Sequence, residues 1–247
     1  MKIKIIKIIK KNKISFKDNK ILTRYNKDLD YLFSWMKKLN LKKPIILDIG
    51  ANIGMYSICY SKMFSNSTIH SFEPVKKNYQ TLIANIKSNK ISNIISYQFG
   101  LLDKKKNLKI GIPDAKTHKR YKKNINDGLF SIFAKKKSLK IKLFSLDDLN
   151  KDNFFNKIDF IKIDVEGAES LVLEGAKKTI KKHKPIIQIE FNELTEILGK
   201  KKIDFFIKFA KKYDYNVSYL TRGYKLKRHI DLKKDFFSDL ILSSKKL

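Results

Sequence analysis

The stretch from Pro44 to Gly54, Pro-Ile-Ile-Leu-Asp-Ile-Gly-Ala-Asn-Ile-Gly, constrains the fold of this chain more than any other. An apolar run of strand length reaches Asp48, Gly50 and Gly54 frame a short polar loop, and the helix-compatible Met55 to Tyr60 follows directly. That is a strand, a tight turn and a helix. Glycines there let the backbone take positive φ and let a ligand lie against bare main chain, while the N–H groups of the new helix face whatever sits on the loop. The Asp-x-Gly-x-x-x-Gly spacing is neither a phosphate loop ending in Gly-Lys nor the Gly-x-Gly-x-x-Gly of dehydrogenases, where Asn52 takes the place of a glycine. An adenosine-containing cofactor without a pyrophosphate is its natural occupant.

Strand and helix patterns alternate around this turn. Asn26 to Asn40 carries Leu29, Leu32, Phe33, Met36 and Leu39 at helical spacing, and residues 1–40 read as an N-terminal extension of strand and helix. Residues 41–247 read as the main domain. Ser67 to Pro74 is extended and closes with Glu73 and a helix-starting proline; Val75 to Lys90 is a helix, and Ile94 to Phe99 is a strand ending at Gly100. Residues 104–145 interrupt the alternation, with β-type runs Asn107 to Ile112 and Lys140 to Phe144 flanking a polar, basic loop, which predicts an inserted hairpin. Strand–helix units resume with Ile158 to Asp164, Ala168 to Lys182, Pro185 to Phe191 and Leu194 to Lys212. Tyr215 to Leu220 and Ser238 to Ser243 are expected to pair as a terminal antiparallel hairpin. The pattern predicts an α/β protein with a doubly wound, mostly parallel sheet.

Charge raises a competing idea. The 247 residues include 55 Lys+Arg against 24 Asp+Glu, a formal +31, and such a surplus points to nucleic acid or an anionic membrane surface. Only Arg24, Arg120, Arg222 and Arg228 are arginine, whereas readers of phosphate and bases lean on arginine forks. Abundant Ile, Asn, Phe and Tyr accompany the lysines, and all are residues of A/T-rich codons, so nucleic acid is a disfavoured partner. Cys59 stands alone, which excludes an internal disulfide framework and a four-cysteine zinc site. Lysines at positions 2, 4, 7, 10, 11 and 13 break the Ile-rich N-terminus, and no 18-residue apolar run spans a bilayer. A cytoplasmic protein with no transmembrane segment is expected. Its oligomeric state has no signature in the sequence.

Ligands of open α/β sheets bind at the carboxyl ends of the strands. Those ends carry Asp48, then Glu73, then Gly100 and Asp103, then Asp164 and Glu166, then Glu190 and Asn192. Glu73 follows Asp48 by 25 residues, near the offset of about 20 at which a strand-end acid binds ribose hydroxyls and disfavours a 2′-phosphate. Leu102, beside Leu101, offers a base an apolar wall and Asp103 reads its edge, although such leucines serve equally as plain core.

Five blocks together carry a family resemblance. They are Asp48 to Gly54, Phe72-Glu73-Pro74, Ser145-Leu146-Asp147-Asp148-Leu149, Lys162-Ile163-Asp164-Val165-Glu166-Gly167-Ala168-Glu169, and Leu173-Glu174-Gly175-Ala176. In order and spacing this resembles the FkbM family of S-adenosylmethionine-dependent methyltransferases, from about Ile45 to Phe191. The resemblance implies a seven-stranded class I methyltransferase fold, Rossmann-like, and O-methylation of a sugar or polyketide-type hydroxyl; the acceptor itself does not carry over, and a saccharide or glycoconjugate precursor, a small-molecule or glycan acceptor, is the expected one. It implies cofactor contacts from Asp48, Gly50, Asn52, Gly54 and Glu73, with the Asp164 to Glu166 segment at the reaction face. Asn126, Gly128 and Ser131 resemble a polar segment of the family between the third and fourth strands and become candidate acceptor contacts.

Methyl transfer from a sulfonium is an in-line displacement, and an alcohol becomes a competent nucleophile as its proton leaves. Asp164 is the first candidate base, with Glu166 and Glu190 behind it. Glu166 has an equally good reading as part of the turn that starts the next helix, with Glu169 on the helix dipole. Asp164, Glu190 and Asn192 also form a possible oxygen-ligand set for Mg²⁺, and the sequence leaves metal and direct base both open. Of the histidines, His70 reads as a sheet residue, His183 and His229 as surface, and His118 as a loop residue within reach of an acceptor. Two rivals follow from the same residues: a nucleic-acid methyltransferase, motivated by the charge, and a non-catalytic cofactor-fold binding module.

Overall fold

The computed structural model describes residues 35–113, 130–191, 196, 198–200, 202–221, 226–228, 237–245 and 247. The expected helix over Asn26 to Asn40 is described only in its final turn, where Trp35 and Met36 are buried.

Five parallel strands form the centre of the main sheet: β1 (Ile45–Ile49), β2 (Thr68–Phe72), β3 (Ile94–Tyr97), β7 (Phe160–Ile163) and β8 (Ile186–Glu190). Three short strands, β4 (Gly100–Leu102), β5 (Lys106–Ile110) and β6 (Leu139–Ser145), make a second sheet in the order β4-β6-β5. With β9 (Asn216–Thr221), β10 (Leu226–Lys227) and β11 (Phe237–Ser243), the main sheet runs β10-β9-β11-β8-β7-β1-β2-β3. The strand order reverses between β1 and β7, so the crevice at their carboxyl ends is the topological switch point.

Alternation along the strands divides the core. Leu47, Ile49, Ile161 and Ile163 face one side, toward the helices α4 (Glu169–Glu174), α5 (Lys177–His183) and α6 (Ile203–Lys212). Ile46, Ile69 and Phe160 face the other, toward α1 (Met55–Met63) and α2 (Lys76–Ser88). Both faces are apolar because a parallel sheet is covered by helices on each side. The second sheet joins the first through aromatic contact, Phe99 lying 4.8 Å from Phe144 and 5.7 Å from Phe72 between ring centroids.

The expected fold class holds, and so does the terminal antiparallel pair, with β11 inserted between β9 and β8. The details differ in four places. The main sheet has eight strands rather than seven, because the two-residue β10, too short to leave a sequence pattern, adds to β9. The inserted hairpin is present as the antiparallel β5–β6 pair, but β4 joins it in parallel and builds a separate sheet. The single helix expected over Ala168 to Lys182 is two. At the break, a side chain on Gly175 would put its Cβ 1.9 Å from the Leu102 carbonyl oxygen, and Asp147 restarts the chain by accepting the N–H groups of Lys178 and Thr179 at 3.0 and 2.8 Å. The long helix expected over Leu194 to Lys212 is interrupted: Glu196, Leu198 and Gly199 are helical, Lys200 takes a left-handed φ of 51°, and α6 starts afresh at Ile203.

Candidate functional site

The glycine loop is built from main chain. Gly50, Asn52 and Gly54 all take positive φ, at 85°, 50° and 90°, conformations that cost glycine little and asparagine less than most residues. The N–H groups of Gly50 and Ala51 both reach the Phe72 carbonyl at 3.0 Å, tying the loop to the end of β2. A Cβ on Gly50 would lie 1.8 Å from the Asp164 carbonyl oxygen, so the loop touches the end of β7 directly. Helix α1 then starts with no capping side chain and no acid in its first turn, which leaves its positive end toward the loop.

Asp48 and Glu73 are both buried acids that brace this loop from inside. The Ser57 hydroxyl donates to one Asp48 carboxylate oxygen and shares a 2.7 Å hydrogen bond with Ser71. Burial raises the Asp48 carboxyl, with the positive charge of Lys162 opposing the shift. Glu73 accepts the Asn52 N–H on one oxygen and the Val75 N–H on the other, each at 2.8 Å. Burial still pushes its carboxyl up to about 7. Leu102 is buried in a small core with Val75, Leu143 and Ala168, and Asp103 pairs with Lys106 at 2.6 Å. Those two residues are thus occupied by packing and by a local ion pair.

Across the switch point stand Asp164, Glu166 and Glu190, with one carboxylate oxygen from each within 4.8 Å of the others. Asp164 remains about 25% exposed, while its partner Lys162, whose Nζ lies 2.7 Å from Asp164 Oδ2, is almost wholly enclosed. The Lys162 ammonium also lies 4.2 Å from the Tyr56 ring centroid, a cation–π placement. Lys162 opposes the desolvation of Asp164 and holds that carboxyl below its ordinary value. Glu190 is raised well above the ordinary carboxyl value, by burial and then by the neighbouring Asp164 and Glu166 charges. The two carboxyls are thus pushed apart, Asp164 toward the ionised form and Glu190 toward the protonated one.

Glu166 and Gly167 continue from Asp164 in left-handed conformations, φ 53° and 99°. Glu169 turns back to accept the N–H groups of Val165 and Gly167 at 3.0 and 3.2 Å, and burial pushes its carboxyl up to about 7. The turn leads into α4 without a capping side chain at Ala168; Glu169 ties down the backbone ahead of the helix instead. Ser131 clamps it from outside: its hydroxyl, buried with the residue, donates to the Glu166 carbonyl at 2.7 Å and accepts the Phe133 N–H at 3.2 Å. The Ser131 hydroxyl is committed to this clamp rather than presented to an acceptor.

Asn126, Gly128, Asn192, His118 and His229 lie outside the described residues. His70 is buried, with Nδ1 2.9 Å from the Tyr97 hydroxyl, and burial lowers its ring to about 4, in keeping with a neutral sheet residue. His183 is half-buried rather than a free surface group and meets Asn150 at 3.0 Å. Three carboxylates in one place invite a hard cation. The set fits Mg²⁺ poorly, because Asp164 is already bonded to a buried ammonium and burial disfavours the charged form of Glu190. Lys162 itself, quoted in the sequence motif but given no role, is the buried cation beside Asp164 that the sequence reading leaves out. Its signal was a lysine at the centre of a strand buried on both faces.

The family model described as the methyltransferase FkbM domain matches residues 48–217. "Methyltransferase 1" of Beauveria bassiana is 25% identical over 142 residues, covering 53% of this chain and 57% of that relative. "Methyltransferase sdnD" of Sordaria araneosa is 26% identical over 155 residues, covering 53% and 60%. The chain thus spans less than two thirds of the length of these relatives. Among solved structures, an FkbM methyltransferase from Methylobacillus flagellatus superposes with a TM-score of 0.53 at 18% identity, over 81% of this chain and 43% of that one. The METTL16 methyltransferase domain gives 0.54 at 11% identity, over 98% and 78%; at these identities the likeness is one of fold. Among the described residues no helix is long and apolar enough to cross a membrane. With the family model covering the glycine loop, the switch point and the Asp164 segment alike, this chain belongs to the FkbM methyltransferase family.

Proposed function

We propose that this methyltransferase uses S-adenosylmethionine to methylate a hydroxyl on a saccharide or glycoconjugate precursor. The observation that carries the reading is the direct contact of the Gly50 turn with the end of β7, which sets a cofactor cradle against an ionised, partly exposed carboxylate. S-adenosylmethionine suits the cradle because it needs an adenosine site and a place for a sulfonium, and no pyrophosphate grip. Asp48, Gly50, Asn52, Gly54 and Glu73 would shape that site, Asp48 and Glu73 by bracing the loop.

The acceptor hydroxyl would lie at Asp164. Bound S-adenosylmethionine would supply an electrophilic methyl group on a sulfonium, and the Asp164 carboxylate would receive the hydroxyl proton as the acceptor oxygen is methylated. Alignment of the two reactants is the larger contribution. Glu190, whose raised carboxyl hydrogen-bonds to Asp164, would orient that carboxylate rather than act as the base. A rim of three carboxyl groups suits a polyol, whose neighbouring hydroxyls can each donate to one of them.

The test is incubation of the protein with methyl-labelled S-adenosylmethionine and fractionated saccharide and glycolipid extracts, followed by mass spectrometry. A saccharide species that gains one methyl on oxygen supports the reading. Label found only in protein, nucleic acid or a non-carbohydrate product would overturn the acceptor assignment.

A further inference from the structure

Four residues stand in register across the middle of the main sheet. Ser71 on β2 is opposite Asp48 on β1, Asp48 is opposite Lys162 on β7, and Lys162 is opposite Gln188 on β8. Residues opposed in this way project from the same face, here the face covered by α1. All four are buried. A polar row inside a hydrophobic sheet is expensive unless each group finds a partner.

Two acceptors of this row have none among the described residues: Asp48 Oδ1 and Gln188 Oε1. They flank Lys162 on its two sides. The lysine, with three donor protons, points along its own strand instead, to Asp164 Oδ2. An ammonium on a flexible stem therefore has two places to bind. One is the exposed edge where Asp164 stands. The other is the interior, between two unpartnered oxygens.

We propose that Lys162 is a positioning residue with these two berths, and that its withdrawal from Asp164 to Asp48 and Gln188 frees the Asp164 carboxylate to receive the acceptor hydroxyl. The inference rests on the methyl-transfer reading above. In the outer berth the ammonium occupies a lone pair of Asp164 and neutralises it, guarding the edge while the acceptor is absent. In the inner berth it satisfies both buried oxygens and leaves the Asp164 oxygen it had held open to the acceptor hydroxyl, with Glu190 still hydrogen-bonded to that carboxylate. No atom leaves the protein in this step, and Lys162 keeps its proton throughout. Gln188, remote from the reacting atoms in role, is then needed for turnover.

The experiment is a double-mutant cycle on the full chain with Asp164→Asn and Gln188→Met. In the parent Gln188 Oε1 has no partner, so Gln188→Met is expected to leave the melting temperature unchanged or raise it. In the Asp164→Asn background, where the ammonium moves inward, the same change is expected to lower it by about 2–4 °C. A crystal structure of Asp164→Asn should show Lys162 Nζ within hydrogen-bonding distance of Asp48 and Gln188. In the labelled-methyl assay Gln188→Met should slow transfer by about 10-fold or more, with S-adenosylmethionine affinity by calorimetry unchanged. Additive melting temperatures, or Nζ still directed to residue 164, would overturn the two berths. Parental transfer by Gln188→Met would overturn their role in turnover. The melting and crystallographic readouts need no acceptor, so they stand apart from any failure of the acceptor assignment.

Discussion

The Glu73 carboxylate accepts the backbone N–H of Asn52 at 2.8 Å, joining the end of β2 to the crown of the glycine loop. With its second oxygen on the Val75 N–H, one buried side chain fixes both the loop and the entry into α2. Removing it removes both of these hydrogen bonds and the one to the Asn78 side chain, each of about 0.5–1.5 kcal/mol net. Glu73→Ala is therefore expected to weaken S-adenosylmethionine binding by about tenfold or more, measured by calorimetry, and Asp48→Ala to do likewise by freeing Ser57. Undiminished affinity in both variants would detach the loop from cofactor binding.

Asp164→Asn separates binding from chemistry. The amide keeps the shape of the edge but cannot take a proton from an alcohol. The expected outcome is parental cofactor affinity with turnover down by about 10²–10⁴. A variant as fast as the parent would show that another group receives the proton.

The raised carboxyl of Glu169 sets a pH dependence of stability. Its folded value of about 7 lies above its ordinary 4.5, so folding favours the protonated form. The stability this adds is fully present below about 4.5 and is lost as pH rises through about 7. Glu73 titrates in the same sense and range. Glu169→Gln can still accept the Val165 and Gly167 N–H groups and has no charge to bury. Melting temperatures of the parent should fall between pH 5 and pH 8, and the fall should be smaller in Glu169→Gln. Equal slopes would mean that Glu169 ionises in the fold without penalty.

Asp147 offers a purely structural prediction. Its carboxylate caps α5 through Lys178 and Thr179, a role in which replacement by alanine costs about 0.5–2 kcal/mol. Asp147→Ala should lower the melting temperature and leave cofactor affinity intact. Its place in a family motif thus reflects the helix break at Gly175 rather than the reaction.

The lysine surplus also has a local consequence. Lys109 and Lys140 are directly opposite on the exposed side of the β5–β6 pair, where like charges repel and opposite charges attract by about 0.2–1 kcal/mol. Lys109→Glu should raise the melting temperature slightly at low salt and lose that gain at high salt. No change at either salt would show that the two ammonium groups already avoid each other.

What could be read from the sequence was whatever depends on local periodicity. The strand at Ile45–Ile49, the helix after Gly54 and the strand ending before Asp164 are each written in their own residues. The break at Gly175 was not, because its cause is the carbonyl of Leu102, which lies 73 positions earlier and on another sheet. Lys162 escaped for a related reason. In a chain with this much lysine, one more looks like surface, and only the register with Asp48 and Gln188 reveals it as the one cation of a buried row. Ser131 reads in the sequence as an acceptor contact because the partner that defines its use, the Glu166 carbonyl, is 35 residues away.

The approach of Gly50 to the Asp164 carbonyl has one more implication. Main chain meets main chain there, so no rotamer stands between the two strand ends to take up play. The cradle and the edge must travel as a single rigid block, and whatever adjustment a particular acceptor demands has to be supplied from the opposite bank, where Ser131 hooks the inserted sheet onto the turn after β7. Divergence in acceptor choice within this architecture should therefore accumulate in the insert while the joint beneath it stays glycine.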